Sequence, residues 1–197
     1  NINHSVAFIE MDDKRFFLER IIREHPDSKM LVFVRTRVRA ERVMKALGRV
    51  SLLSETIHGD KDQNQRNQVM KRFFSGENKV LIATDVSARG IDIPDVDIVI
   101  NYDIPEETEN YVHRVGRTGR GQKKGEAIAF CSTEEKEQLE TIENFLNRKI
   151  ARLDIKKNDY KETMKMSGDM ETDWKSLMEE NEEWDSKKKK KKKKSRK

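Results

Sequence analysis

The feature that most constrains the fold of this chain is a repeated alternation of short apolar runs with amphipathic stretches. Residues 30–34 and 79–83 are nearly uninterrupted apolar runs, which is typical of strands buried on both faces of a parallel sheet. Residues 37–47 and 62–74 carry apolar side chains at helical spacing. The same patterns predict further strands at 6–9, 55–58, 96–100 and 127–130, and further helices at 14–23, 107–114 and 134–146. This order predicts an α/β fold of three layers, with helices on both faces of a mostly parallel sheet.

Charge is distributed unevenly along the chain. Residues 1–150 carry 25 Lys and Arg against 25 Asp and Glu, residues 151–186 carry 6 against 11, and residues 187–197 carry 10 against 0. We therefore predict one globular domain over 1–150, an acidic and partly ordered extension over 151–186, and a disordered polylysine tail over 187–197.

The tail and the extension each allow two interpretations. A lysine block can grip nucleic acid non-specifically, because it releases counterions from the phosphates; alternatively, it is a solubilising tail that lies against the acidic residues 179–185. Trp174 and Trp184, which lie in the extension, could belong to a short amphipathic helix or to a partner-binding motif.

Two classes of protein are excluded by composition. No run of 18 apolar residues exists, and Cys131 is the only cysteine, so we expect neither a membrane span nor a disulfide scaffold. The single cysteine favours a cytoplasmic location. The chain begins at Asn1 rather than at a methionine, which suggests a piece of a longer protein.

Polar residues follow four of the predicted strands at the point where each strand ends. In an open α/β sheet, ligands bind beyond the carboxyl ends of the strands. Hydroxyl groups and glycines at such ends allow a phosphodiester to approach backbone N–H groups. Taken singly, each group could equally be an ordinary turn or helix cap. The four groups are Arg35-Thr36-Arg37, His58-Gly59-Asp60, Thr84-Asp85 and Asn101-Tyr102-Asp103.

The segment from His113 to Gly121 carries three arginines at a spacing of three, separated by glycines. Glycines inside a helix cost about 1 kcal/mol each relative to alanine, so the segment predicts a tight bend that presents guanidinium groups. Two such groups can bind the terminal phosphate of a nucleotide together, because the planar fork of arginine fits phosphate oxygens. The alternative is a basic surface loop.

The same segment does not match a phosphate-binding loop. Gly116 and Gly121 have the glycine spacing of such a loop, but Gln122-Lys123 follows where Lys-Ser or Lys-Thr is needed, and no strand precedes. We therefore expect the chain to supply arginines to a phosphoryl transfer whose nucleotide is held by a partner surface.

Four ordered motifs in residues 5–148 make the chain resemble the C-terminal RecA-like domain of the DEAD-box RNA helicases. Residues 31–36 look like motif IV, and Gln63 and Arg66 within 58–66 look like motif IVa. Residues 84–92 look like motif V, and 113–120 look like motif VI.

The resemblance implies roles for residues at matching positions. Arg117 and Arg120 are expected to reach the γ-phosphate of ATP and to be catalytic, and Asp92 to bind the ribose. Arg89 and His113 are expected to couple the nucleotide cleft to the RNA groove. The residues expected to lie on the RNA backbone path or to support it are Thr36, Gly59, Gln63, Arg66, Thr84, Asp85 and Gly90.

The resemblance also implies partners. They are RNA, bound mainly by its sugar–phosphate backbone, and an N-terminal RecA-like domain of the same protein, which holds most of the ATP and its Mg²⁺. The implied enzyme is an ATP-dependent RNA helicase, of which this chain alone is expected to be inactive. The alternative is a non-catalytic RNA-binding or scaffold module that retains the fold.

Overall fold

A single parallel sheet organises the chain in a computed structural model that describes residues 2–89, 91, 93, 96–119 and 124–167. Within these residues seven strands pair in the order β3-β4-β2-β5-β6-β1-β7, and every neighbouring pair is parallel. The predicted α/β architecture is confirmed. The strands are β1 (Ile2–Phe8), β2 (Met30–Phe33), β3 (Glu55–Ile57), β4 (Val80–Ala83), β5 (Ile98–Asn101), β6 (Gly125–Cys131) and β7 (Ala151–Leu153).

Helices cover both faces of this sheet and give it two apolar cores. One core packs α3, α5 and α6 against the sheet, and the other packs α1, α2 and α7 against the opposite face. Because β2, β4 and β5 are buried along their whole length, their continuous apolar runs match their position between two helix layers. The helices are α1 (Lys14–Glu24), α2 (Arg37–Arg49), α3 (Gln63–Ser75), α4 (Asp85–Arg89), α5 (Thr108–Val115), α6 (Lys136–Phe145) and α7 (Lys157–Met166).

The structure also contains elements that the sequence pattern did not predict. The helix α4 has five residues and β7 has three, which is too short for an apolar period to be recognised. The strand β1 begins at Ile2, four residues before the predicted start, because its first residues pair with β6. Regular structure continues beyond the predicted domain boundary at 150, since β7 pairs with β1 and α7 packs on α1.

Glu143 joins β7 to the rest of the domain. Its carboxylate is 1% exposed and accepts hydrogen bonds from the Ile150 backbone N–H at 2.8 Å and from Arg152 Nη1 at 2.6 Å. Burial opposes its ionisation, but the hydrogen bonds from Arg152, Ile150 and Lys149 outweigh burial and hold the pKa of Glu143 at about 2. The carboxylate is therefore ionised and links α6 to β7.

Several predicted residues lie outside the described part of the chain. They are Gly90, Asp92 and Arg120, the predicted tail, and the two tryptophans of the extension. Among the helices that are described, none combines the length and apolar character needed to cross a bilayer. Cys131 is a buried free thiol, and burial raises its pKa to about 11.

The turn after α5 packs closely against the start of β6. A Cβ atom at Gly125 would overlap the Thr118 side chain and the backbone of Gly119. Thr118 is itself fixed, because its hydroxyl donates to the carbonyl oxygen of Val96 at 2.5 Å. Gly125 therefore allows the turn that carries Arg117 to sit against the sheet.

Gly125→Ala tests this close approach. We expect it to lower the free energy of unfolding by about 1–3 kcal/mol, as overpacking does, in a urea titration. Gly48→Ala is the matched control, because a Cβ there meets no atom within 4 Å and alanine favours a helix interior by up to about 1 kcal/mol. Equal effects of the two substitutions would contradict the packing argument.

Candidate functional site

A buried arginine, Arg114, organises the carboxyl edge of the sheet. Its side chain is 2% exposed. Nε and Nη2 donate to the two carboxylate oxygens of Asp85 at 2.6 and 2.7 Å, and Nη1 donates to the Asp103 carbonyl oxygen at 2.7 Å and to Asn101 Oδ1 at 3.2 Å. The guanidinium lies 5.1 Å from the centre of the Phe33 ring. Arg114 thus ties α5 to the start of α4 and to the end of β5.

This finding changes the expectation for the arginine-rich segment. The segment was expected to present its guanidinium groups, but Arg114 lies within α5 and points into the protein. Its partner Asp85 was expected to lie on the RNA path or to support it, and here both oxygens of its carboxylate accept from Arg114. Asp85 therefore acts in the described structure as a fixed counterion.

Thr84 and Ser87 form a second buried link at the same edge. The Ser87 hydroxyl donates to the carbonyl oxygen of Ile57 at 2.8 Å, and the two hydroxyls lie 3.1 Å apart. Ser87 Oγ also accepts from the Thr84 backbone N–H at 3.1 Å. The start of α4 is thereby attached to the end of β3, which brings the segment at 84–89 next to the segment at 58–61.

The sequence-predicted residues Arg89, His113 and Arg117 line one pocket between α4 and α5. Arg89 is exposed and donates to Asn110 Oδ1, and His113 is exposed. Arg117 is half-buried, and among the described contacts its Nη2 donates one long hydrogen bond, of 3.4 Å, to the carbonyl oxygen of Ala88. The pocket, which we call the basic pocket, therefore collects these three side chains beside the Arg114–Asp85 pair at the carboxyl edge of the sheet.

Thr36, Gly59, Gln63 and Arg66 lie at the same edge of the sheet, after β2 and β3 and at the starts of α2 and α3. Thr36 caps α2 by accepting from the Arg39 backbone N–H at 3.2 Å. Arg66 donates to the carbonyl oxygens of Lys61 at 3.0 Å and Gly59 at 3.4 Å. Gln63 is exposed in the first turn of α3. The contacts of Arg66 hold the loop between β3 and α3, which lies at the same edge of the sheet as the basic pocket.

Close packing within the described protein does not require a glycine at position 59. A Cβ at this position meets no atom within 4 Å, and its φ does not lie in the left-handed region. Packing and backbone conformation therefore give no reason for a glycine there.

Glu41 and His58 support the loop between β3 and α3. One oxygen of Glu41 accepts from the Thr56 hydroxyl at 2.6 Å and from His58 Nε2 at 2.8 Å. Burial would raise the pKa of Glu41, but the hydrogen bonds from Thr56 and His58 outweigh burial and lower it. The ionised carboxylate fixes the residue that precedes Gly59.

Asp103 extends the network on the other side of Arg114. Its carboxylate accepts from the Arg35 backbone N–H and from Arg39 Nη1, both at 2.8 Å. The fully buried Lys14 lies 3.8 Å from Asp103 and donates to Glu135 Oε2 at 2.5 Å. Burial lowers the pKa of Lys14, although both carboxylates oppose this. The end of β5 is thus held to α1 and α2.

The described residues do not fit a magnesium site. Within the part of the chain that the structure covers, no group of three His, Cys, Asp or Glu side chains is arranged to hold a metal ion. The cationic character of the basic pocket suits an anionic ligand instead.

Sequence reasoning gave no role to Ser87 or Glu41, expected the Arg114 guanidinium to be presented rather than buried, and named Asp103 only as a polar residue at a strand end. Only Arg114 leaves a signal, since it follows the buried residues Asn110 and Tyr111 at helical spacing and so belongs to the inward face of α5. The other three residues form hydrogen bonds with residues of other strands, helices and loops, and no local sequence pattern predicts such partners.

Comparison with known proteins gives consistent matches. Residues 13–122 match the family model described as the helicase conserved C-terminal domain. An ATP-dependent rRNA helicase RRP3 of Kluyveromyces lactis is 40% identical over 145 residues, which cover 74% of this chain and 30% of that protein. The DEAD-box ATP-dependent RNA helicase CshA of Bacillus cereus is 42% identical over 149 residues, which cover 75% of this chain and 28% of that protein.

A solved structure shares the fold. The E. coli DEAD-box protein SrmB, solved bound to regulator of ribonuclease activity A, is 32% identical with a TM-score of 0.72, and the match covers 78% of this chain and 90% of that one. The chain spans 30% or less of the length of the two curated relatives named above.

Arg114→Lys tests the organising role of the buried guanidinium. Lysine keeps the charge but loses the fork, so we expect a loss of about 2–4 kcal/mol in the free energy of unfolding in urea. The control is Arg37→Lys, because Arg37 pairs with Asp60 at 62% and 57% exposure and such a pair is worth at most about 1 kcal/mol. If both variants unfold at the same urea concentration, Arg114 does not organise this edge.

Proposed function

Since the chain belongs to the DEAD-box RNA helicases, as their conserved C-terminal helicase domain, we propose that it is the second RecA-like lobe of an ATP-dependent RNA helicase. In this proposal an N-terminal RecA-like lobe of the same protein holds ATP and most of the ligands of Mg²⁺. The present chain supplies RNA contacts and the arginines that complete the ATP site. The small share of its relatives that the chain covers is consistent with this division.

The contrast between two neighbouring arginines carries the proposal. Arg114 is enclosed and paired through both edges of its guanidinium, whereas Arg117 makes a single long hydrogen bond among the described contacts and lines an open pocket. A guanidinium that lines a pocket can stabilise charge that develops on a transferred phosphoryl group. We assign Arg117 this catalytic role, together with Arg120, and assign Asp92 to the ribose of ATP.

The rim of the basic pocket fits a second protein lobe. Val86 on α4 is 79% exposed and Val112 on α5 is 46% exposed, next to Arg89 and His113. Exposed apolar side chains among cationic ones are a feature of interaction surfaces. We assign Arg89 and His113 to interdomain coupling across this rim.

The second group of residues supports a path for the RNA backbone. Thr36, Gly59, Gln63 and Arg66 lie at one edge around helix starts, where N–H groups favour phosphate. In this proposal Thr84 and Asp85 support the path by fixing α4, and Gly90 is a further contact to the RNA backbone. Contacts of this kind address sugar and phosphate rather than bases, so binding is tolerant of sequence.

The proposed cycle is a population shift between open and closed arrangements of the two lobes. ATP and single-stranded RNA together favour the closed arrangement, in which the bound strand is bent and a duplex is locally opened. Hydrolysis and phosphate release return the lobes to the open arrangement. The lysine tail adds non-specific contact with RNA, and a cytoplasmic location stays a prediction.

ATP turnover by the chain alone and by the two-lobe protein tests this division of labour. We expect no turnover by the chain alone, because its sequence lacks a phosphate-binding loop for the triphosphate, and RNA-stimulated turnover once the N-terminal lobe is joined to it. Turnover by the isolated chain would contradict the proposal. A two-lobe protein that binds RNA without turnover would support the scaffold alternative instead.

Gly59→Ala tests the RNA path. The added methyl group meets nothing in the protein, so we expect the free energy of unfolding to change by less than about 0.5 kcal/mol. Affinity of the two-lobe protein for single-stranded RNA should fall by about tenfold, the equivalent of one lost hydrogen bond to a phosphate. Gly48→Ala is the matched control and should leave affinity unchanged; a normal affinity for Gly59→Ala would remove Gly59 from the path.

A further inference from the structure

The outer face of α2 presents a single row of exposed side chains, most of them cationic. Ala40, Val43 and Leu47 form the inner face of this helix and are buried. The residues on the opposite side are exposed. They follow one another at spacings of four, three and four, which places them in one line along a helix. This line, which we call the α2 row, consists of Val38, Arg42, Lys45 and Arg49.

The α2 row lies where positive charge is concentrated in a domain that is neutral as a whole. Residues 1–150 carry 25 Lys and Arg and 25 Asp and Glu. The two helices that flank β3 in sequence, α2 and α3, carry five and three Lys and Arg but only one acid, Glu41. Repulsion within such a group opposes folding. The charge separation therefore suits an anionic partner rather than the stability of the domain.

Arg42 and Lys45 differ from three other cations of these two helices. Those three are paired with acids of other segments, as Arg37–Asp60, Arg39–Asp103 and Arg72–Glu55. Arg42 and Lys45 make no hydrogen bond or ion pair with any residue in the described part of the chain. Glu41, which precedes Arg42, is bound to Thr56 and His58 on the side of β3. The middle of the α2 row is therefore available to a ligand.

The α2 row starts at the edge of the sheet to which the RNA path is assigned. Because β2 and β3 are both parallel to β4, α2 begins at the carboxyl edge and runs back toward the amino edge. The row begins two residues after Thr36, the N-cap of α2, and is about 16 Å long. About five stacked nucleotides of one strand span this length, at about 3.4 Å each. A strand that leaves the edge over the start of α2 therefore meets the row directly.

We propose that the α2 row is a second RNA-contact surface, which binds the sugar–phosphate backbone of the nucleotides that flank the strand held at the sheet edge. Its cations address phosphate, so the surface adds affinity without sequence preference. Val38 is the only apolar member of the row, whereas protein interfaces have an apolar centre, so a polyanion fits the row better than a protein does. The inference rests on the proposed function, because it starts from the RNA path at Thr36.

The length of the RNA distinguishes this surface from the sheet edge. The probes are oligouridines of about six and about sixteen nucleotides, the longer one having about five added at each end so that either end can span the row. Arg42→Gln combined with Lys45→Gln, in the two-lobe protein, should leave affinity for the short probe unchanged. Affinity for the long probe should fall by about 10- to 30-fold in about 0.1 M salt. The slope of log affinity against log salt should become less negative by about 1.4, because two contacts that release counterions are lost.

An equal loss of charge on another helix is the matched control. Lys161 and Lys165 are exposed on α7, which follows β7 at the opposite end of the sheet from β3. Lys161→Gln combined with Lys165→Gln should leave affinity for both probes unchanged. All four substituted side chains are exposed, so both double variants should unfold at the urea concentration of the unsubstituted protein.

Three outcomes overturn the proposal. Unchanged affinity of the Arg42 and Lys45 variant for the long probe means that the row does not contact RNA. Equal losses in the two double variants mean that net charge alone matters. Equal losses for the short and long probes mean that the row acts at the sheet edge and not on flanking RNA. Failure of the unsubstituted protein to bind either probe would instead overturn the proposed function, and the second surface with it, so the two failures are distinguishable.

Discussion

The forked contact between Arg114 and Asp85 is the interaction on which the functional edge depends. It joins two segments 29 positions apart, and the same guanidinium also holds the end of β5 through Asp103 and Asn101. A buried charge is costly unless it is fully paired. Here the pairing requires α4, α5 and the end of β5 to hold fixed positions relative to one another. Since Arg117 follows Arg114 by less than one helical turn, the position of the proposed catalytic arginine derives from this buried one.

The all-parallel sheet explains why so many polar residues meet at one edge. All strands end on the same side of the sheet, and hydrogen bonds join the loops there. These bonds run from Ser87 to Ile57, from Arg37 to Asp60 and from Arg39 to Asp103. The proposed RNA path and the basic pocket are therefore neighbouring parts of one network. In the proposed cycle, a shift of either part is transmitted through α4, because α4 is attached to the end of β3 by Ser87 and lines the basic pocket.

Much of the fold was predictable from local patterns, and the pairing of charges was not. The strands β2 and β4 were predicted because burial on both faces gives them unbroken apolar runs, and α2 because Val43 and Leu47 repeat at helical spacing. The short elements α4 and β7 have too few residues to show a period. Asp85 was correctly placed at a strand end, but its partner depends on tertiary contacts that no local pattern encodes. The roles of Asp92 and Arg120 rest on the family resemblance, since both lie outside the described residues.

The most direct measurement is the effect of Arg117→Ala on ATP turnover and on nucleotide affinity in the protein that contains both lobes. If this arginine stabilises the transferred phosphoryl group, kcat falls by about 10³-fold or more while affinity for ATP changes by only a few-fold. Arg117→Lys, which keeps the charge without the fork, should recover only part of the rate. An unchanged kcat, or a loss of turnover matched by an equal loss of affinity, would contradict the assignment of Arg117 to the ATP site of a neighbouring lobe.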